Sequence, residues 1–291
     1  MALHATLYTD SACPWGYSAN PDLTVLHWRY GAGIDWSIRT IGLAEAPSRY
    51  EDIGYTPTRM VQGYASFRRR FGMPFQANPR PRVLATREVC RAVVATRLVS
   101  PQHEWAAVRA LQFAWFNSVV LLDEPEAIGE ALRLIDGLDV DAVLAQLERP
   151  ETESVYQEDR AAARTAEGGA THFQGKSANH DGAERFTAPS VVFTAEDGRS
   201  LEAGGFQSLA VYDAVIANLD RSLDRRGPAE SALEVLKAFE HGVTTQEVAA
   251  VLAPSLTEPD RDAAEAELLA LIATGEARRT PLGDDALWRL A

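Results

Sequence analysis

Residues 5–13, Ala-Thr-Leu-Tyr-Thr-Asp-Ser-Ala-Cys, alternate apolar and polar side chains and stop at Pro14. Such a run reads as a strand entering a turn, because alternation matches the two-residue period of a pleated chain and proline disfavours its continuation. From Trp15 to Tyr30, Leu23, Leu26, His27 and Tyr30 recur at helical spacing, with Pro21 kinking or restarting the helix and Gly31 and Gly33 ending it. A second strand is predicted over 34–43, with Ile34, Trp36 and Ile38 on one side. A strand, a short crossover helix and another strand imply a parallel pair, which places the chain among α/β folds.

From about 45 to 170 no strand pattern appears, while helical patterns recur over 83–99, 102–121, 124–136, 139–149 and 152–166, so this stretch reads as a helical insertion. A long polar loop is expected over 166–186; loops of that length in compact domains are often functional. Strands at 190–195 and 199–203, joined at Asp197-Gly198, make a hairpin, and a helix over 208–219 follows. Charge, Gly227 and Pro228 mark a boundary at 220–231. Beyond it, helices over 229–239, from Thr244 or Thr245 with Glu247 in the first turn, and over 259–273 precede two short strands around Gly283-Asp284, the order of a winged-helix-like unit at 229–291.

The chain has 291 residues, 46% of them hydrophobic, which is ample for a packed core. No apolar run approaches 18 residues, and the N-terminus lacks a leader pattern, so neither membrane insertion nor secretion is expected. Its formal net charge of −13 argues against nucleic acid as a partner. The C-terminal unit is itself acidic: residues 230–291 hold 5 Lys and Arg against 12 Asp and Glu, so a packing role, or a homodimer contact, is expected of it rather than phosphate binding. Two cysteines in a chain of this size form no disulfide framework, and a reducing cytoplasm is the expected location.

Cys13 is the candidate catalytic residue. At a strand end and helix start, a thiol meets unpaired backbone N–H groups and the positive end of the helix dipole, so a lowered pKa is expected for it. Pro14 suits the first helical turn, and Trp15 can shield the sulfur. The same residues also fit a buried structural cysteine. Cys90 lies in a predicted buried stripe with Val89, Val93 and Leu98 and reads as a small core side chain. Arg68, Arg69 and Arg70, interleaved with Tyr64, Phe67 and Phe71, fit either a solvated helix face or a grip on small-molecule carboxylates. His172, His180 and Asp181 lack metal-ligand spacing and read as polar lid residues; no metal is expected.

Element order and the Cys13-Pro14-Trp15 turn together resemble the DsbA-like thioredoxin family, in its FrnE-like and 2-hydroxychromene-2-carboxylate-isomerase-like branch, over roughly residues 3–222. The resemblance implies a thioredoxin-like domain over 1–222 with an inserted helical cap. It also implies a cis-proline at Pro189, with Thr187, Ala188 and Pro189 facing the Cys13 turn, and a glycine-containing turn at Glu202–Ser208. Where the family's redox members carry a second cysteine, this chain has Gly16. A one-thiol route is therefore expected: Cys13 forms a mixed disulfide with a low-molecular-weight thiol or a disulfide-containing partner, and an external thiol resolves it. No tightly bound cofactor is expected beyond such a thiol as co-substrate. A thiol-dependent transferase or isomerase, and a binding protein that no longer catalyses, are the alternative functions.

Overall fold

Residues 3–291 are described by a computed structural model; Met1 and Ala2, which the reading of the N-terminus and the 1–222 boundary include, lie outside the described residues. Strand β1 (Leu3–Thr9) buries Leu3, Ala5 and Leu7 on one face and leaves His4, Thr6 and Tyr8 half-buried on the other, as its alternation dictates. It ends at Thr9 rather than Cys13, because Asp10 folds the chain: its carboxylate accepts from Ala12 N at 2.8 Å and its carbonyl from Cys13 N at 2.9 Å. Helix α1 (Pro14–Ser18) breaks at Ala19, and α2 (Asn20–Tyr30) restarts with Pro21 in its first turn, where a missing N–H costs nothing. Strand β2 (Ile34–Thr40) then pairs parallel with β1, from Leu3 opposite Ile34 to Thr9 opposite Thr40.

The insertion holds α3 (Ser48–Glu51), α4 (Pro57–Phe71), α5 (Arg87–Val99), α6 (Glu104–Asn117), α7 (Pro125–Leu132), α8 (Val140–Leu147), α9 (Pro150–Ala163) and α10 (Ala170–Phe173), and residues 41–176 contain no strand. Thr56 caps α4 by accepting from Arg59 N, and Gly72 ends it at φ +73°, a left-handed conformation that favours glycine. The cap core around Val93, Leu111, Phe75 and Phe116 runs without a break into Tyr17 and Ile38 of the sheet unit. Asp159 on α9 fastens it further, accepting from Arg39, Arg97, Thr40 N and Thr40 Oγ1.

The expected 166–186 loop is partly structured: after α10, β3 (Ser177–Ala178) pairs antiparallel with β4 (Arg185–Phe186). Strands β5 (Ser190–Thr194) and β6 (Ser200–Ala203) complete a sheet of order β2-β1-β5-β6, in which β5 runs antiparallel to both neighbours. Helix α11 (Leu209–Leu219) covers it beside α2, with Tyr212 and Ile216 against Leu7 and Phe193. Each such buried aliphatic or aromatic side chain contributes about 1.5–3 kcal/mol, so this one layer accounts for much of what holds the sheet.

Beyond the linker come α12 (Ala232–Ala238), β7 (Val243–Thr244), α13 (Thr245–Leu252), α14 (Arg261–Ala273) and the hairpin β8 (Ala277–Leu282)–β9 (Asp285–Leu290). Thr244 and Glu247 form a capping box on α13. Strand β7, too short to show a sequence pattern, adds a third strand in the order β7-β9-β8. This unit shares its core with α2: Val25 and Trp28 pack among Val235, Val248, Leu268 and Trp288. Glu247 also reaches the cap, pairing with buried Arg109 at 2.5 and 3.0 Å. Among the described residues no helix is long and apolar enough to cross a membrane.

Candidate functional site

Cys13 stands as the N-cap of α1, its backbone still extended at φ −85° and ψ 118°. Asp10 holds the preceding turn from beneath, its second carboxylate oxygen accepting from Leu43 N at 2.9 Å and Thr86 Oγ1 at 2.8 Å. One buried carboxylate thus joins the β1 turn, the segment after β2 and the start of α5. Burial pushes the Asp10 carboxyl above its ordinary range, against the pull of those donors.

Across the turn lies the segment before β5. The Ala188-Pro189 bond is cis, and the Cys13 thiol donates to Ala188 O at 3.4 Å. Ile41, Ala163 and Ala188 surround the sulfur, with Tyr8 and Leu43 beside them, and Cys13 is 6% exposed. The lowered thiol pKa expected from the helix start is overturned. The N–H groups of Gly16 and Trp15 do pull it down, yet burial and the nearby Asp10 charge push it to about 12. Desolvation of a thiolate in an apolar cage outweighs two N–H dipoles, and the bond to a carbonyl stabilises the neutral thiol further.

Thr187 sits beside Ala188 and anchors the segment by donating to Lys176 O at 2.6 Å. Ser190 ties it to the glycine turn, donating to Thr187 O at 2.6 Å and accepting from Gly205 N at 2.8 Å. Gly16 faces inward: a Cβ there would stand 3.6 Å from Cys13 Cβ and 2.9 Å from Thr9 Oγ1. Trp15 turns away from the sheet to a ring of aromatics, with Phe67, Phe206 and Phe71 at 4.9, 5.4 and 5.7 Å between centroids, and stays 38% exposed.

The arginine triplet separates. Arg70 lies 5.7 Å over Trp15, Arg68 pairs with Asp284 at 3.4 Å, and Arg69 faces solvent. Lid residues separate too. His180 and Asp181 meet Arg185, with Asp181 bridging Arg185 at 2.9 Å and Arg164 at 2.7 Å, whereas His172 accepts from Gly168 N at 3.1 Å within its own turn. Burial pushes the Asp181 carboxyl up, but Arg185 and Arg164 together carry it below its ordinary value. Arg185 is the cation whose field acts on Cys13, lowering its pKa slightly, and sequence reasoning did not single it out. Nothing local distinguishes it; only pairing of β3 with β4 brings it there. Tyr50 was missed for the same reason, and its phenol is raised by burial and then by the nearness of Asp10 and Cys13. Cys90 lies in a separate buried cluster with Val94 and Tyr156, and burial raises its thiol well above the ordinary value.

No protein-family model and no curated protein matches the sequence. Solved structures do match. A Nitrosomonas europaea protein assigned as a protein disulfide isomerase aligns with a TM-score of 0.58 at 14% identity, over 75% of this chain and 97% of that one. The chain has the DsbA-like thioredoxin fold with an inserted helical domain. A DsbA-type oxidoreductase of Streptomyces coelicolor, so assigned, gives 0.55 at 16% identity over 78% and 93% of the two chains. The cytosolic disulfide reductase DsbM of Pseudomonas aeruginosa gives 0.52 at 17% over 76% and 98%. About three quarters of this chain therefore matches nearly the whole of each neighbour.

Proposed function

We propose that this protein is a cytoplasmic thiol-disulfide oxidoreductase that works through Cys13 alone. The observation that carries the reading is the placement of a single thiol at a helix start, in contact with the carbonyl that precedes a cis-proline, on a DsbA-like fold. In the reaction, the Cys13 thiol loses its proton to solvent and the thiolate attacks one sulfur of a disulfide, R–S–S–R′. The Cys13–S–S–R bond forms as the S–S bond breaks, and R′–S⁻ leaves and is protonated. A thiolate R″–S⁻ from solution then attacks the R sulfur, releasing R–S–S–R″ and the Cys13 thiolate. Electrons balance without a second protein thiol, as Gly16 requires.

Each group has a task. Gly16 and Trp15 N–H face the sulfur and stabilise negative charge on it, while Thr187 and Ala188 present backbone beside it. Trp15, Phe206 and Arg70 offer a surface for the substrate's apolar and anionic parts. The DsbM neighbour was also solved with glutathione, at a TM-score of 0.50, which supports a low-molecular-weight thiol as co-substrate. The neutral, carbonyl-bonded thiol favours a second reading, a thiol-dependent transferase or isomerase in which the Cys13 S–H donates to a bound thiolate.

Intact-mass analysis after incubation with glutathione disulfide separates them. The redox reading expects one glutathionyl adduct, lost in Cys13→Ser and kept in Cys90→Ser, and removed by added thiol. Noncovalent glutathione binding without any adduct at pH 9 would favour the second reading, and an adduct on Cys90 would refute both.

A further inference from the structure

A cavity of about 530 Å³ opens between α2, α11 and the loop 253–259 of the C-terminal unit, and none of the residues around Cys13 lines it. Its walls carry three carboxylates, Asp22, Asp213 and Glu258, against two guanidiniums, Arg29 and Arg225. Both guanidiniums already pair with one of these carboxylates. Arg29 Nη1 and Arg225 Nη2 share Asp213 Oδ2 at 2.5 and 2.7 Å, and Arg29 Nη2 and Arg225 Nη2 donate to Ser255 Oγ at 3.3 and 3.1 Å. Tyr30 OH takes the other oxygen of Asp213 at 2.8 Å. Asp22 has nothing: among the described residues no hydrogen bond or ion pair reaches its carboxylate.

We propose that this cavity binds a small organic ammonium ion, with Asp22 as its counter-ion and Val25, Leu209, Ala250 and Pro254 around its apolar body. A half-buried carboxylate on the cavity wall with no protein donor is left free to pair with a ligand that brings charged N–H groups. An anion is disfavoured here, since three carboxylates outnumber the two guanidiniums, both of which already pair with Asp213. A metal ion lacks ligands, because no group of three metal-binding side chains occurs among the described residues. The apolar walls supply the rest of the fit, as in most small-molecule sites.

The half-buried position of Asp22 is reflected in its acidity, which burial raises to about 7, with Arg29 opposing and Asp213 adding. The charged and titratable groups facing it are Arg29 and Tyr30 on α2, Tyr212 and Asp213 on α11, Arg225 in the linker and Glu258 in the loop; none is a histidine. A carboxyl with that acidity is about one tenth ionised at pH 6 and about nine tenths at pH 8, so ammonium affinity should rise roughly tenfold between them.

The experiment titrates the ¹⁵N-labelled full chain with hexylammonium, hexanol and hexanoate, reading amide shifts of α2 and α11. Hexylammonium is expected to saturate, at least tenfold more tightly than the other two, with the tenfold pH dependence. In Asp22→Asn its advantage over hexanol should fall to within twofold, while Asp35→Asn, an exposed carboxylate elsewhere, should leave it unchanged. Equal binding of hexanol, preference for hexanoate, no saturable shift by 20 mM hexylammonium, or an Asp22→Asn variant that keeps the preference would each overturn the proposal. If that variant does not fold, the natural chain decides by its preference for hexylammonium over hexanol: without that preference the proposal falls.

Discussion

Replacing Gly16 by cysteine tests the site most directly, because it asks whether a second sulfur fits where the turn points. The backbone is ready for the bond: the added Cβ would lie 3.6 Å from Cys13 Cβ, inside the range of about 3.5–4.5 Å found in disulfides. Space is what is missing. The same Cβ would stand 2.9 Å from Thr9 Oγ1, and Thr9 is 3% exposed at the end of β1. Relieving that contact requires the buried Thr9 side chain to leave its χ1 rotamer, and a β-branched residue is stiff at χ1. The turn therefore offers the geometry of a disulfide without the room for it. In Gly16→Cys, overpacking should cost about 1–3 kcal/mol of stability under reducing conditions. Thr9→Ala removes the obstructing oxygen, and no hydrogen bond among the described residues holds that hydroxyl. In a double-mutant cycle the pair should be more stable than the two single losses add up to, by about 1–2 kcal/mol. Urea unfolding with reductant gives the four stabilities. Intact mass without reductant should show Thr9→Ala/Gly16→Cys two hydrogens lighter, with an insulin-reductase activity above that of the natural chain. Strict additivity, or no disulfide in the double variant, would refute the geometry argued for the turn.

Other outcomes follow from the same contacts. Alkylation of Cys13 by iodoacetamide should be slow at neutral pH and rise about tenfold per pH unit from 7 to 9, because its pKa of about 12 lies above that window; a plateau below pH 8 would mean the thiolate is stabilised after all. Burial lowers His27 to about 4, with Arg109 adding to it, so the folded chain refuses a proton that the unfolded chain accepts below about 6.5; stability should be fully present above 6.5 and fall by up to about 3 kcal/mol as pH drops to 4, a loss that His27→Gln should largely remove in urea titrations. Glu247→Gln should cost about 3–5 kcal/mol by leaving Arg109 buried without its counter-ion, while the exposed pair Arg199–Asp197 should tolerate Asp197→Asn without measurable loss.

What the sequence disclosed was local. Alternation located β1, and Pro14 and Pro21 located the starts of α1 and α2, because those signals act within a few residues. The capping box shows the same principle: Thr244 and Glu247 announce the start of α13. That Glu247 also pairs with Arg109, 138 positions away, leaves no trace in the sequence. Cys13 itself was visible as a thiol at a helix start, yet the sign of its pKa shift was not. The helix start is local and lowers it; the cage of Ile41, Ala163 and Ala188 is tertiary and wins. Arg185 and Tyr50 escaped for the same reason, being ordinary residues until the chain folds back on the turn.

The C-terminal unit gains its meaning from where it grips. Its hairpin turn places Asp284 against the segment after α4, accepting from Phe75 N at 3.0 Å and pairing with Arg68. Arg261 of α14 donates to Gly72 O at 2.9 Å while held by Asp285 at 2.8 Å, and the capping Thr244 donates to Met73 Sδ at 3.4 Å. Residues 72–75 are thus clasped from three elements of the unit immediately after α4 leaves Phe67 and Phe71 against Trp15. A helix end unheld at Gly72 would be free to fray, since its last carbonyls have no partners within the helix. Arg261 supplies one such partner, so the acidic unit bears on the Cys13 turn through position: it fixes the end of the helix whose aromatics pack against Trp15 of that turn.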